Sequence, residues 1–248
     1  MGSNAYDSEG KMIRKVTVKE NNFLSIFSDA VVLYEAALAC GDEVLKSALV
    51  KSSILSVNYA IEAAANSFLE SLEVTDKLKK RIDKFSTLEK YDFVLQWHTE
   101  KHLMLGDRNV QAVDNLISNR NAMVHPKITV KPMQVSTSIE PGETVMHSAI
   151  KPEPKKGQSQ KPKLLGNDPE LYTDRDAKEA LIVMTSFLNA FVEQWWGIGY
   201  EAAEMFLFQT WDGSINARPV MFREHQIETL VRNNKFLQIR FMGIHGML

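Results

Sequence analysis

Arg120, Asn121 and His125 fall within one short stretch, Arg120-Asn121-Ala122-Met123-Val124-His125-Pro126, and are the side chains best suited to chemistry in this chain. A guanidinium is always charged and planar, so it can hold two phosphoryl oxygens at once. An imidazole exchanges protons near neutral pH, with an ordinary pKa of about 6.5. RNA carries its own nucleophile, the 2′-hydroxyl. Cleaving it requires that this hydroxyl lose its proton, that the extra charge on phosphorus be stabilised, and that the leaving 5′-oxygen be protonated. An arginine, an amide and a histidine can hold and cleave such a phosphodiester. The plainer alternative is that Arg120 and His125 only cap a helix, since cations at a helix C-terminus gain about 0.3–1 kcal/mol from the macrodipole.

The element that must position these groups is a helix from Asp107 to Val124. Asp107 is a good N-cap, and Val110, Val113, Leu116/Ile117, Ala122 and Met123/Val124 recur at roughly helical spacing. Pro126 disfavours helical geometry at His125, which places the imidazole at the frayed end. Asn121 and His125 are four residues apart and share a face if the last turn holds; Arg120 can swing towards the same point. A second pair, Glu62 and Asn66, lies in Tyr59-Ala60-Ile61-Glu62-Ala63-Ala64-Ala65-Asn66-Ser67-Phe68, among residues with a buried character. A buried carboxylate needs a cationic partner, and Arg120 is a candidate; otherwise Glu62 stands on the exposed edge of its helix.

An arginine and a histidine separated by four residues, with asparagine directly after the arginine, resembles the R-x(4–6)-H motif of the HEPN family (higher eukaryotes and prokaryotes nucleotide-binding domains). The resemblance spans about residues 22–196 with one insertion, and includes a long upstream helix carrying polar residues. It implies a HEPN-like helical bundle acting as a metal-independent endoribonuclease, toxin-like or defence-associated. Arg120 would then stabilise the transition state, His125 would be general base or acid, and Asn121 would bind or orient the phosphate. Glu62 and Asn66 would support them from behind. The resemblance further implies RNA as partner, a homodimer with paired motifs at one cleft, and an antitoxin or other protein partner. Members that sense nucleotides or bind partners without cleavage leave a non-catalytic module as the alternative, and a structural interaction protein that shares only the bundle as a third.

Composition frames these expectations. The chain has 248 residues, 44% of them hydrophobic, enough for a sizeable core. One cysteine, Cys40, excludes an intramolecular disulfide framework, and no apolar run reaches the roughly 20 residues of a membrane span, which points to a cytoplasmic protein without a membrane partner. Met1 to Lys11 lacks the apolar region of a signal peptide. A net charge of −2 gives no global basic field, so any RNA contact must be local. Lys151, Lys155, Lys156, Lys161 and Lys163 do cluster, in a stretch that reads as a flexible loop or as a phosphate-gathering arm.

No cofactor is expected: P-loop, dinucleotide fingerprint and nucleophile elbow are all missing. No metal is expected either. His98 and His102 have the spacing of two zinc ligands, but Thr99 stands where the catalytic zinc motif needs Glu, so they read as solvated or partly buried. Cys40, at the end of an Ala-rich helix, reads as core rather than nucleophile.

The expected fold class is all-α, an antiparallel helical bundle with a small β-hairpin insertion and a mixed C-terminal extension. Its expected parts are a flexible segment at 1–20, the first part of the bundle at 21–125, a Pro- and Lys-rich insertion at 126–173, a closing helix at 174–199 and an extension at 200–248. Within them, Asn22 or Ser25 caps a helix to Ala39, and a central helix runs from Asp42 to about Leu72. Thr75 caps a short helix over Asp76 to Lys84, and a capping box at Ser86 to Glu89 opens a helix to about Met104. Asp174 or Asp176 caps a helix to Trp196. Strands are expected at Ile128 to Val130, Val135 to Ile139 and Thr144 to Ile150 around Pro141-Gly142, a helix over Glu224 to Asn233, and a strand over Phe236 to Met242.

Overall fold

The computed structural model describes residues 5–6, 8–125, 128, 130, 133–135, 140–145, 150–152, 165, 169–214 and 216–247. Among these the protein is an all-α helical bundle with a few short strands. Helix α1 (Phe23–Ala39) leads through Gly41 into α2 (Glu43–Phe68), whose N-terminus is held by Asp42 Oδ1 accepting from Leu45 N–H at 2.8 Å. The first cap differs from expectation. Asn21, rather than Asn22 or Ser25, accepts from the Phe23 N–H at 2.8 Å.

Helices α3 (Asp76–Ile82), α4 (Thr87–Thr99) and α5 (Arg108–Val124) follow. The Ser86–Glu89 capping box opens α4, with Ser86 N–H donating to Glu89 at 2.6 Å. That helix stops at Thr99, short of Met104, because Glu100 takes a left-handed conformation. Helix α6 (Asp174–Asn189) is capped by Thr173, which forms a box with Asp176. Helices α7 (Tyr200–Leu207) and α8 (Glu224–Leu237) complete the set.

The central helix is α2: Ile54, Val57, Ala60, Ile61, Ala64 and Phe68 are fully buried, and it packs against α1, α4, α5, α6 and α7. Helix α8 lies on α1 and α6, where Arg232 donates to both oxygens of Glu35 at 2.9 and 2.7 Å. Residues 200–247 thus share the same core.

Residues 190–196 form a π-helical turn closed by Gly197 in the left-handed region. A regular helix would place Trp195, four residues on, beneath Phe191. The wider turn also brings in Trp196, whose ring lies 5.8 Å from Phe191 and 5.5 Å from Phe68.

Of the strands, β1 (Ala5–Tyr6) pairs with β2 (Met12–Ile13), and β3 (Val18–Lys19) pairs with β6 (Gln209–Trp211), which pairs with β7 (Val220–Met221). The segment expected to be flexible therefore joins residues from the far end of the chain. The expected hairpin is present in part: β4 (Met133–Val135) pairs antiparallel with β5 (Ile150–Pro152), and Pro141-Gly142 is a turn. Residues 128, 130, 144 and 145 are not in strands, 136–139 and 146–149 lie outside the described residues, and so does the lysine-rich stretch beyond 152.

No strand forms over 236–242, although the burial does alternate: Leu237, Ile239 and Phe241 are buried while Gln238 and Arg240 are exposed. The Asn189 side chain substitutes for a partner strand. Its amide nitrogen donates to Gln238 O at 2.8 Å, and its oxygen accepts from the N–H groups of Arg240 and Phe241 at 2.8 and 3.1 Å. Beyond it, Gly243 is required by close packing, since a Cβ there would meet the Tyr200 ring at 2.6 Å.

Candidate functional site

Arg120 lies half-buried one turn before the end of α5, and three groups hold its guanidinium. It donates to Asn121 Oδ1 at 3.0 Å, lies 3.8 Å from Glu62 Oε2 of α2, and sits over the Tyr59 ring 5.7 Å from its centre. The pairing of Glu62 with Arg120 expected from sequence is present, at the bundle's edge rather than in its core: the two side chains are 41% and 28% exposed. At that exposure the ion pair is worth at most about 1 kcal/mol. It orients the arginine more than it stabilises the bundle.

His125 is exposed at the C-cap of α5, where its N–H donates to Asn121 O at 2.9 Å, so the last turn does hold and Asn121 and His125 lie one turn apart. Arg120, Asn121, Glu62 and His125 are thereby brought to one end of α5. Asn66 is not in contact with Arg120. One turn along α2, it is exposed and accepts at Oδ1 from Lys90 Nζ of α4 at 2.7 Å.

Sequence reasoning missed two residues here, Tyr59 and Lys90. Lys90 is only 4% exposed, an unusual position for a lysine. A signal existed: Lys90 lies one residue before Tyr91 and four before Val94, on the buried stripe of α4. Tyr59 offered the helical spacing to Glu62, three residues on.

His98, in α4, and His102, beyond its end, have separate partners. His98 Nε2 meets Ser71 Oγ at 2.8 Å, its ring stacks on Trp196 at 5.0 Å, and burial pushes its pKa below the ordinary value. His102 Nδ1 lies 3.1 Å from Asp92 Oδ2. Among the described residues no three His, Cys, Asp or Glu side chains gather as metal ligands would. Cys40 is half-buried at the end of α1, outside the core expected for it, with its thiol donating to Asp42 O at 3.4 Å. No described helix is long and apolar enough to cross a membrane.

A cavity of about 410 Å³ borders Asn66, and its lining includes Lys19, Glu20, Asn21, Ser67, Glu70 and Phe206. A cleft of about 440 Å³ between the start of α5, α6 and the end of α8 contains none of the residues above. What the arrangement near Arg120 offers chemically is a fixed guanidinium, an oriented amide and a solvent-facing imidazole. The chain matches no family model, no curated protein and no solved structure.

Proposed function

We propose that this protein is a metal-independent endoribonuclease of HEPN type, cleaving RNA through the 2′-hydroxyl. The observation that carries the reading is the Arg120 guanidinium fixed by Tyr59, Glu62 and Asn121, with Asn121 one helical turn before an exposed His125. Arg120 retains N–H groups beyond the one it gives to Asn121, and a phosphoryl oxygen can displace the long 3.8 Å ion pair to Glu62. Because Arg120 donates to Asn121 Oδ1, the amide's NH₂ is left to donate outward.

In the reaction the 2′-oxygen loses its proton to an imidazole and attacks phosphorus, the bond from phosphorus to the 5′-oxygen breaks, and that oxygen takes up a proton. The products are a 2′,3′-cyclic phosphate and a 5′-hydroxyl. His125 is the base or the acid. A homodimer would supply the second proton carrier as His125 of the partner subunit, in a C2 arrangement burying on the order of 1,200 Å² or more. A toxin-like or defence role in the cytoplasm, under the control of an antitoxin or other protein partner, is consistent with such an activity.

One observation favours a second reading, a binding module without cleavage: Arg120 is already paired with Glu62. End-group analysis separates the two. Treating mixed RNA with the purified protein in excess EDTA should give fragments ending in a 2′,3′-cyclic or 3′-phosphate. Intact RNA, or fragments carrying a 5′-phosphate, would refute the ribonuclease reading. Light scattering that finds only monomer at tens of micromolar would refute the paired site.

A further inference from the structure

The cleft of about 440 Å³ between the start of α5, α6 and the end of α8 has charged lining of one sign only. Lys178 and Arg240 line it, and no aspartate or glutamate does. Glu179 and Glu193, beside Lys178 and Gln194 in sequence, stay outside the lining. Glu193 accepts at both oxygens from Arg240 Nε, each at 3.1 Å, which orients the guanidinium without using its terminal nitrogens. Their N–H groups have no partner among the described residues. The Lys178 ammonium lies 5.2 Å from the centre of the Phe236 ring, which also lines the cleft, and makes no ion pair with a described carboxylate.

The α8 side of the cleft is held from the core. Asn189, 3% exposed, donates to Gln238 O at 2.8 Å and accepts from the N–H groups of Arg240 and Phe241 at 2.8 and 3.1 Å. Gln238 stands in the left-handed region at φ 49°, a conformation that residues with a Cβ rarely adopt. The backbone carrying Arg240 is thus fixed in advance, and binding has only side-chain torsions to order. Asn109, Gln194 and Gln238 add side-chain amides to the lining that have no hydrogen-bond partner among the described residues, and Ile182 and Phe236 add apolar wall.

Two cations with free N–H donors and no competing carboxylate in the lining match a dianion. A phosphomonoester carries about −1.5 to −2 at neutral pH and three acceptor oxygens, whereas a carboxylate has a single charge and two oxygens. The terminal fork of an arginine takes two phosphoryl oxygens, and a lysine takes the third. Amides both donate and accept, as hydroxyl groups on the organic part of a ligand require. We infer that this cleft binds a phosphorylated small molecule with a hydroxyl-bearing body, its phosphate held by Arg240 and Lys178 and its hydroxyls by Asn109, Gln194 and Gln238. The volume lies within the ~300–1,000 Å³ of small-ligand sites. The site does not depend on the ribonuclease reading: along α5, Asn109 stands roughly 16 Å from Arg120 at 1.5 Å per residue.

Calorimetric titration with β-glycerophosphate tests the inference, with glycerol as the control for the body and malonate as the control for charge. At low salt, wild-type protein should bind β-glycerophosphate with a dissociation constant below about 1 mM, malonate at least about fivefold more weakly, and glycerol not at all. Lys178→Gln and Arg240→Gln change exposed side chains, so each should melt close to wild type while binding about tenfold or more weakly. Arg240→Lys keeps the charge but not the fork and should recover only part of the loss. Gln194→Ala should weaken β-glycerophosphate but leave inorganic phosphate unaffected.

No heat of binding at several millimolar β-glycerophosphate, malonate bound as tightly as the phosphomonoester, or Lys178→Gln and Arg240→Gln variants that bind like wild type would each overturn the inference. Cleavage of RNA is read separately through Arg120 and His125, so either conclusion can fail without the other.

Discussion

Replacing Glu62 by Gln separates a structural role for the Arg120 pair from a functional one. At 3.8 Å the two charges attract by about 1 kcal/mol in water and by about 4 kcal/mol at an effective dielectric of 20. With side chains 41% and 28% exposed, the lower figure governs, and ordering two side chains consumes part of it. The variant should therefore lose less than about 1 kcal/mol, or roughly 2–4 °C in melting temperature for a chain of this size. Arg120 keeps its contact with Asn121 and its place over Tyr59. Ligand affinity should move the other way. If Arg120 receives phosphate as proposed, removing the carboxylate beside it leaves a unit of charge uncompensated, so a fluorescein-labelled, 2′-O-methylated oligonucleotide, which has no free 2′-hydroxyl to react, should bind about threefold to tenfold more tightly at low salt, with the gain fading as salt screens it. Calorimetric melting and anisotropy on one preparation measure both quantities. A melting temperature lowered by roughly 8 °C or more, with affinity unchanged, would make the pair a structural clamp and refute the reasoning.

Other sites give predictions of different sign and size. The Glu204 carboxylate is fully buried, accepting from Arg218 and from Gly243 N–H at 2.7 Å, so Arg218→Ala should cost about 3–5 kcal/mol in denaturant unfolding; a loss below about 1 kcal/mol would contradict it. His98 has its pKa lowered by burial, so below about 6.5 the unfolded chain binds more protons than the folded one and stability is lost as the pH falls. His98→Gln, which cannot titrate, should flatten the decline in melting temperature between pH 7 and 5. Glu35, held below its usual pKa chiefly by its hydrogen bond from Arg232, contributes stability that disappears at still lower pH, through and below the ordinary value of 4.5, and Glu35→Gln should reduce that acid-side loss.

Much of the bundle was legible because its signals are local. Asp107, the Ser86–Glu89 box and the apolar stripes of α1, α2, α5 and α6 each specify an element from a few neighbouring residues. The misses share a different origin. A π-turn at 190–196 packs Trp196 as well as Trp195 against the core, and nothing in a regular helical period announces it. The alternation at 237–241 was true burial, but the backbone partner was Asn189, about fifty residues earlier. Pairing of β3 with β6 joins residues near the two ends of the chain and has no local mark. At the candidate site, the Arg120 cluster could be assembled from one motif and one helix face, whereas Asn66 found Lys90 because α4, not α5, lies beside that turn of α2.

The central claim is that Arg120 and His125 act on RNA, and the most direct measurement is the initial rate of RNA cleavage in excess EDTA by wild-type, Arg120→Ala and His125→Ala proteins matched for melting temperature. His125 lies at the exposed helix end and Arg120 is half-buried at the bundle's edge, where its ion pair is worth at most about 1 kcal/mol, so both variants should stay folded. Each should lower the rate by about 10²-fold or more, as expected for losing a proton-transfer group or a charge that stabilises the transition state. Cleavage by His125→Ala at the wild-type rate would contradict the account.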